Sequence, residues 1–196
     1  MDGELTLSGK LGTRKGHIPR VNMLWKAQNF RHVWPEMWRH WIAQGLGVPH
    51  LYAELRAVLK RADGTMLDYG VIGTRKITTA FCEYMVDQLQ AETSTWGDFK
   101  YHDSGVGVTG EANGDTDIET TDGESRATGT QTEGTSVQYV SVGTISYTTT
   151  KAITEHGLFN TADSTVLMDR TVFSAINVVD GDSIQFTYTL TVTAGG

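Results

Sequence analysis

The sequence predicts a mainly β protein, with an antiparallel β-sandwich or jelly-roll-like body, one packed helix, and an N-terminal arm that bears a short helix. After Gly97, short runs alternate apolar and polar residues between turns rich in Gly, Asp, Asn and Ser. Four of the five tryptophans lie instead in the first 50 residues. Residues 1–50 carry seven Lys/Arg against three Asp/Glu, whereas residues 51–196 carry nine against twenty. We therefore divide the chain into an arm, residues 1–50, and a β-rich body, residues 51–196.

Length and composition exclude several classes of protein. A chain of 196 residues buries a sizeable core without a disulfide or metal. The single cysteine, Cys82, excludes an intramolecular disulfide framework and a multi-cysteine zinc site. No apolar run approaches the roughly 20 residues of a membrane span, and the acidic start lacks the pattern of a signal peptide. We expect no membrane partner and synthesis in a reducing cytoplasm.

The arm begins with residues 1–24, which show no sustained apolar period and therefore lack the pattern of a segment that folds alone. Its basic residues contrast with the acidic body, so we expect the arm to meet an acidic partner across a neighbouring subunit. The basic residues assigned to this contact are Lys10, Arg14, Lys15 and Arg20.

A short helix is predicted near residues 35–44, because Pro35 suits the first helical position and Glu36 suits the positive end of the dipole. Gly45 is a plausible stop. Three- and four-residue spacing places four rings on one helical face, which we call the aromatic stripe: Phe30, Trp34, Trp38 and Trp41. Two interpretations stay open, that the stripe packs on the body or that its tryptophans dock on a partner.

Two further elements precede the β-rich region. Asp63-Gly64 between alternating runs predicts a hairpin of residues 53–60 and 66–72, although residues 53–60 also fit a helix. Thr78 or Thr79 can cap a helix that runs to about Gln90. Cys82 is expected to be a small, half-buried residue of this helix. The predicted apolar stripe of the helix comprises Ile77, Phe81, Tyr84, Met85 and Leu89.

Five alternating runs predict the strands of the body, and their short gaps favour antiparallel pairing. The last run alternates almost perfectly, and its threonine face is expected to meet water or a neighbouring subunit. The runs are residues 125–132, 136–149, 152–159, 165–178 and 183–193.

The sequence offers no convincing catalytic constellation. His102-Asp103-Ser104 contains the residue types of a hydrolase triad, but consecutive residues do not converge on one site, and a polar turn after a strand at 99–101 is predicted instead. Glu155 and His156 are consecutive in a predicted strand, so they face opposite sides and form no acid/base pair. We predict that the protein is not an enzyme.

No cofactor or metal is predicted. The carboxylates of residues 114–124, which we call the acidic loop, do not match EF-hand spacing and are interpreted as a solvated loop. Nucleic acid is an unlikely partner, because the cations of the arm are spread over 50 residues and the body is acidic.

Ordered blocks over about residues 65–196 resemble a family of uncharacterised virion structural proteins of tailed phages. The resemblance implies a virion component and does not fix its position in the particle. The blocks that carry it are Asp68–Val71, Tyr101–Gly105, Ser125–Thr130, Thr154–Leu158, Leu167–Phe173 and the ending from Gly181 through Gly196.

We expect a capsid decoration (cement) protein that binds the major capsid protein or other virion proteins and forms a homo-oligomer such as a trimer. A neck or tail component is the main alternative, and a receptor- or glycan-binding β-sandwich module is the third. The predicted partner-binding residues are Lys10, Arg14, Lys15, Arg20, Trp34, Trp38 and Trp41.

Overall fold

The computed structural model describes residues 18–74, 76–89, 98–163 and 166–194, and it confirms the predicted mainly β class. It contains helices α1 (Met23–Gly45) and α2 (Thr79–Leu89). Its strands are β1 (His50–Lys60), β2 (Met66–Thr74), β3 (Lys76–Ile77), β4 (Tyr101–Gly105), β5 (Ala127–Thr128), β6 (Thr130–Glu133), β7 (Gln138–Ser146), β8 (Lys151–Phe159), β9 (Leu167–Val178) and β10 (Ser183–Thr193).

The strands form two antiparallel sheets that pack face to face. The first sheet has the order β2-β1-β10-β7-β6 and the second has the order β3-β9-β8-β4-β5. Strand β10 shows why they pack: Ile184, Phe186 and Tyr188 point inward and are fully buried, whereas Thr187 and Thr189 lie on the outer face. Each large apolar side chain buried in this way contributes about 1.5–3 kcal/mol to stability.

The hairpin predicted around Asp63-Gly64 is confirmed, and the helical alternative for residues 53–60 is wrong. Gly64 has φ +86, a conformation that favours glycine. The fully buried carboxylate of Asp182 ties this turn to the turn before β10, because it accepts hydrogen bonds from Ala62 N at 3.0 Å and Val179 N at 2.9 Å. Arg61 Nη1 lies 2.7 Å from the same carboxylate.

The five alternating runs all contain strands, but residues 125–132 divide between the two sheets. Strand β5 pairs with β4, whereas β6 pairs with β7, and Gly129 lies between them. A Cβ atom at Gly129 would lie 2.7 Å from Val142 O and 2.9 Å from the His102 ring. The crossing between sheets therefore requires glycine, since any side chain would collide with backbone.

Helix α2 confirms the prediction for residues 78–90. Thr78 Oγ1 accepts a hydrogen bond from Phe81 N at 3.1 Å, and Phe81 packs edge-on against Phe99 with ring centroids 5.1 Å apart. Cys82 was expected to be half-buried and is exposed, because it lies one helical step away from the packed Phe81. The predicted stripe also ends early, since Leu89 is 82% exposed.

Helix α1 is longer than predicted and begins 12 residues earlier, at Met23 rather than near residue 35. Asn22 caps it, because its Oδ1 accepts a hydrogen bond from Trp25 N at 2.9 Å. Pro35, read as a start signal, lies inside the helix. An interior proline costs about 3 kcal/mol or more, so the packing of α1 on the sandwich must offset that cost.

Candidate partner-binding surface

One face of α1 is fastened to the edge of the sandwich by Asn29, which is 2% exposed. Its Nδ2 donates to Ile72 O of β2 at 2.7 Å, and its Oδ1 accepts from Ser174 N of β9 at 2.8 Å. Asn29 therefore joins the helix to a strand of each sheet. Trp25 adds a second attachment, with its indole N–H donating to Ala175 O at 3.0 Å.

The C-terminal half of α1 is held by a histidine pair. His40 Nδ1 lies 2.6 Å from His50 Nε2, and the His40 ring stacks on Tyr52 with centroids 4.1 Å apart. His50 Nδ1 donates to the carbonyl of Val48 at 2.8 Å, which leaves His50 Nε2 to accept a hydrogen bond from His40 Nδ1. Burial, reinforced by His50, lowers the pKa of His40, and Glu54 opposes this shift.

The aromatic stripe lies on the face of α1 that points away from Asn29. Trp34, Trp38 and Trp41 are 41%, 50% and 50% exposed. Of the two interpretations, packing of the stripe on the body is therefore wrong in the described structure. The rings contact one another instead: Trp34 stacks between Phe30 at 5.3 Å and Trp38 at 6.2 Å, and Trp41 meets Trp34 edge-on at 6.1 Å.

Exposed cations lie on the helix that carries this stripe. Lys26, Arg31 and Arg39 are exposed on α1, and the one acidic residue of the helix, Glu36, is 2.6 Å from Arg39 Nη1. Arg20 is also exposed, just before the helix. The other predicted basic contacts, Lys10, Arg14 and Lys15, lie outside the described residues.

The prediction of a polar turn at His102, Asp103 and Ser104 is wrong, because these residues form most of β4 and are buried. They also point apart, as consecutive strand residues do. His102 faces the interior, whereas Asp103 pairs with Arg126 Nε at 2.8 Å. Burial raises the pKa of Asp103, and Arg126 opposes that shift.

His102 belongs to a fully buried chain of polar side chains between the sheets. Its Nδ1 is 3.0 Å from His156 Nε2, and its Nε2 is 2.9 Å from Ser141 Oγ. His156 also packs on the Phe186 ring at 4.6 Å. Gly143 makes room for the imidazole, since a Cβ there would lie 2.4 Å from His102. This chain is therefore an element of the core, hydrogen-bonded as buried polar groups must be.

Glu155 faces away from His156, as predicted, and holds the acidic loop on the outside of the second sheet. Its buried carboxylate accepts hydrogen bonds from Gly107 N, Glu119 N and Thr120 N at 2.8–2.9 Å, and from Arg170 Nε at 2.7 Å. Arg170 also reaches Asp115 at 3.1 Å and Glu119 at 3.3 Å. The loop is at the surface, but two of its carboxylates are bound to this buried arginine.

Sequence reasoning missed the residues that orient the stripe. Asn29 follows Trp25 by one helical turn, so in a helix that begins at Met23 this spacing indicates that both residues lie on the same face. The pairing of His40 with His50 had no local signal, because it depends on where β1 meets α1.

Comparison of the chain with protein-family models, curated proteins and solved structures finds no match. Neither helix in the described ranges is both long and apolar enough to cross a membrane. Within the same ranges, no cluster of three or more His, Cys, Asp or Glu side chains could hold a metal ion.

Proposed function

We propose that this protein is a non-enzymatic structural component of a tailed-phage virion, of the capsid decoration type, which binds its lattice through the aromatic stripe of α1. The virion assignment comes from the resemblance of residues 65–196. The observation that carries the mode of binding is the exposure of Trp34, Trp38 and Trp41 on a helix anchored to both sheets.

Exposed tryptophans of this kind suit a binding surface for two reasons. Tryptophan is among the residues that contribute most to interfaces when buried by a partner. Ring contacts within the stripe also hold the side chains in place before binding, so less conformational entropy is lost on association. The stripe therefore supplies affinity.

The cations around the stripe define the chemistry of the partner. Lys26, Arg31 and Arg20 favour a lattice surface with an apolar centre and an acidic rim. Exposed ion pairs contribute about 0.2–1 kcal/mol each, and a buried tryptophan-sized side chain contributes more than about 1.5 kcal/mol. The charges therefore guide approach and register more than they set affinity.

The test is binding of purified protein to virus particles that lack it. Trp38→Ala should weaken binding at least about tenfold while the midpoint of unfolding stays close to wild type. Arg31→Ala is the matched control on the same helical face and should weaken binding less. Full occupancy by Trp38→Ala would contradict the proposal.

Copy number separates the positions within a virion. Hundreds of copies per particle indicate the capsid, whereas about six or twelve indicate a neck or tail position. If Trp38→Ala particles carry the protein normally but no longer adsorb to host cells, the receptor- or glycan-binding alternative replaces the decoration role.

A further inference from the structure

Helix α1 is attached to the sandwich in two separate places, one on each side of Pro35. The part before Pro35 is held at three points. Trp25 and Asn29 bond to the backbone of β9 and β2, and Thr74 Oγ1 donates to Val33 O at 2.7 Å. Asn29 is also the buried residue of the helix. None of these attachments contains a group that titrates near neutral pH.

The part of α1 after Pro35 is attached through a titratable pair. Every residue between Pro35 and Gly45 is exposed or half-buried. A cavity of about 140 Å³ lies between this part and the start of β1. Within the described residues, the hydrogen bond that joins it to the sandwich is the one between His40 and His50, at 2.6 Å.

Pro35 separates the two parts of the helix mechanically. Proline has no backbone N–H, so α1 lacks the hydrogen bond that residue 35 would otherwise donate to the carbonyl of Arg31. Sharp bends in helices occur mostly at such positions. The part after Pro35 can therefore move while the part before it stays on the sandwich.

The histidine pair accommodates one added proton but not two. In the neutral pair, His40 Nδ1 donates to His50 Nε2, and His50 Nδ1 donates to the carbonyl of Val48. A first proton on His40 Nε2 leaves both hydrogen bonds in place. A second proton must bind His50 Nε2, which then becomes a donor that faces another donor. The hydrogen bond is lost, and two positive rings lie with their centroids 4.8 Å apart.

The charged groups of α1 beside this pair already have partners. Glu36 lies one turn before His40, but its carboxylate is 2.6 Å from Arg39 Nη1. From β10, Thr193 pairs with His50 and carries no charge. These neighbours therefore do not neutralise a doubly protonated pair.

On β1, the groups that face the pair are Tyr52 and Glu54. The Tyr52 hydroxyl donates to Glu54 Oε1 at 2.9 Å, and burial raises the pKa of Tyr52, so this phenol stays neutral. Glu54 favours the charged form of His40, but burial and His50 oppose it more strongly. The pKa of His40 is therefore lowered from 6.5, and double protonation requires acidic conditions.

We propose that the histidine pair is a pH-sensitive latch: when both rings are protonated, the part of α1 after Pro35 leaves the sandwich and carries Trp38 and Trp41 with it. Phe30 and Trp34 remain in place with the part before Pro35. The aromatic stripe is then divided between Trp34 and Trp38, which stack on each other in the closed state.

The consequence for partner binding rests on the proposed function. Binding through the stripe requires Trp38 and Trp41 to be held on the sandwich, so opening of the latch weakens binding under acidic conditions. The latch itself requires no partner, and it can be tested with the purified protein alone.

Hydrogen exchange at about pH 7.5 and about pH 5 tests the latch in full-length protein. Wild type is compared at each pH with His50→Gln, whose amide oxygen accepts from His40 without a second titrating ring. At the lower pH, we expect residues 36–45 to exchange at least about tenfold faster in wild type, and residues 23–34 to exchange equally in both proteins. Equal exchange of residues 36–45 would overturn the proposal, as would equal acceleration along the whole helix.

Two further variants show whether the pair itself causes the response. His40→Phe keeps a ring on Tyr52 and removes the facing nitrogens, so it should behave like His50→Gln. His32→Gln is the matched control, because it removes a histidine of α1 on the other side of Pro35, and it should exchange like wild type. Loss of the acid response in the His32 variant would contradict the assignment of the latch to His40 and His50.

Binding to particles that lack the protein separates this inference from the proposed function. Wild type should bind at least about tenfold more weakly at about pH 5 than at about pH 7.5, whereas His50→Gln should bind almost equally at both. Acid-induced exchange in residues 36–45, together with binding that Trp38→Ala does not weaken, would support the latch and contradict the proposed function. Binding that depends on Trp38, without faster exchange in acid, would support the proposed function and contradict the latch.

Discussion

Glu155 holds the loop of residues 107–120 against the second sheet through one buried carboxylate. Glu155→Gln keeps the shape but replaces one carboxylate oxygen with an NH2 group, which then faces two of the four donors, and it removes the negative charge that pairs with Arg170. We expect a loss of about 3–5 kcal/mol in the free energy of unfolding, as for other broken buried ion pairs. Urea denaturation measures it. Glu83→Gln, at an exposed position of α2, should change stability by less than about 0.5 kcal/mol.

The histidine pair predicts how stability depends on pH. Burial lowers the pKa of His40 from its ordinary value of 6.5, so the unfolded chain binds more protons than the folded one just below that value. Stability contributed by the neutral ring is full above 6.5 and is lost as the pH falls toward the lowered pKa. The contribution of His40 alone to the slope of unfolding free energy against pH should stay below about 1.4 kcal/mol per pH unit. Burial, together with Arg31, also lowers the pKa of His32, so His32 adds to the loss of stability at low pH.

His40→Phe keeps a ring on Tyr52 and removes the titrating group. Unfolding measured between about pH 7.5 and 5.5 should show a smaller drop for this variant than for wild type. An equal drop in both proteins would mean that His40 does not carry the effect.

Asn29 is the buried polar side chain that hydrogen-bonds helix α1 to both sheets. Asn29→Ala would leave Ile72 O and Ser174 N without their partner, and we expect a loss of about 1–3 kcal/mol. Hydrogen exchange should then accelerate in α1 before it does in β1 or β10. Gln28→Ala, at the exposed neighbouring position, is the control and should leave both measurements unchanged.

The sequence correctly predicted those elements whose signal lies within their own residues, such as an alternating run or a turn dipeptide. The β1–β2 hairpin follows from Asp63-Gly64 between alternating runs, and β10 follows from near-perfect alternation. Helix α1 was predicted too short because Pro35 was interpreted as its first residue, whereas Asn22 caps it. The contacts of α1 with β2 and β9, which stabilise the longer helix, have no local signal. The strand at residues 102–104 was not predicted, because His102 and Ser104 are polar and their hydrogen-bond partners, His156 and Tyr147, are distant in sequence.

The candidate surface was predictable in part. Three- and four-residue spacing placed the tryptophans on one face before any fold was known. Which way that face points could not be predicted, because it depends on the buried position of Asn29 on the opposite side.

At the scale of the whole molecule, only part of the arm can be deleted without damage to the body. Val21 is part of the core and Asn22 caps α1, so removal of residues 1–24 would damage the sandwich itself. Deletion of residues 1–17 stops short of these contacts. We expect thermal unfolding within a few degrees of wild type together with weaker binding to particles. A large loss of thermal stability would contradict this separation.

The central pair of the first sheet joins the first and last long strands. His50 pairs with Thr193 and Lys60 with Ser183, so the partners are 123 to 143 positions apart. During synthesis β1 has no neighbour on that side until β10 leaves the ribosome, and closing so long a loop slows folding. A premature stop near Asp180 would therefore not trim the protein. It would remove the strand that β1 and β7 share and leave two hydrophobic edges open to aggregation.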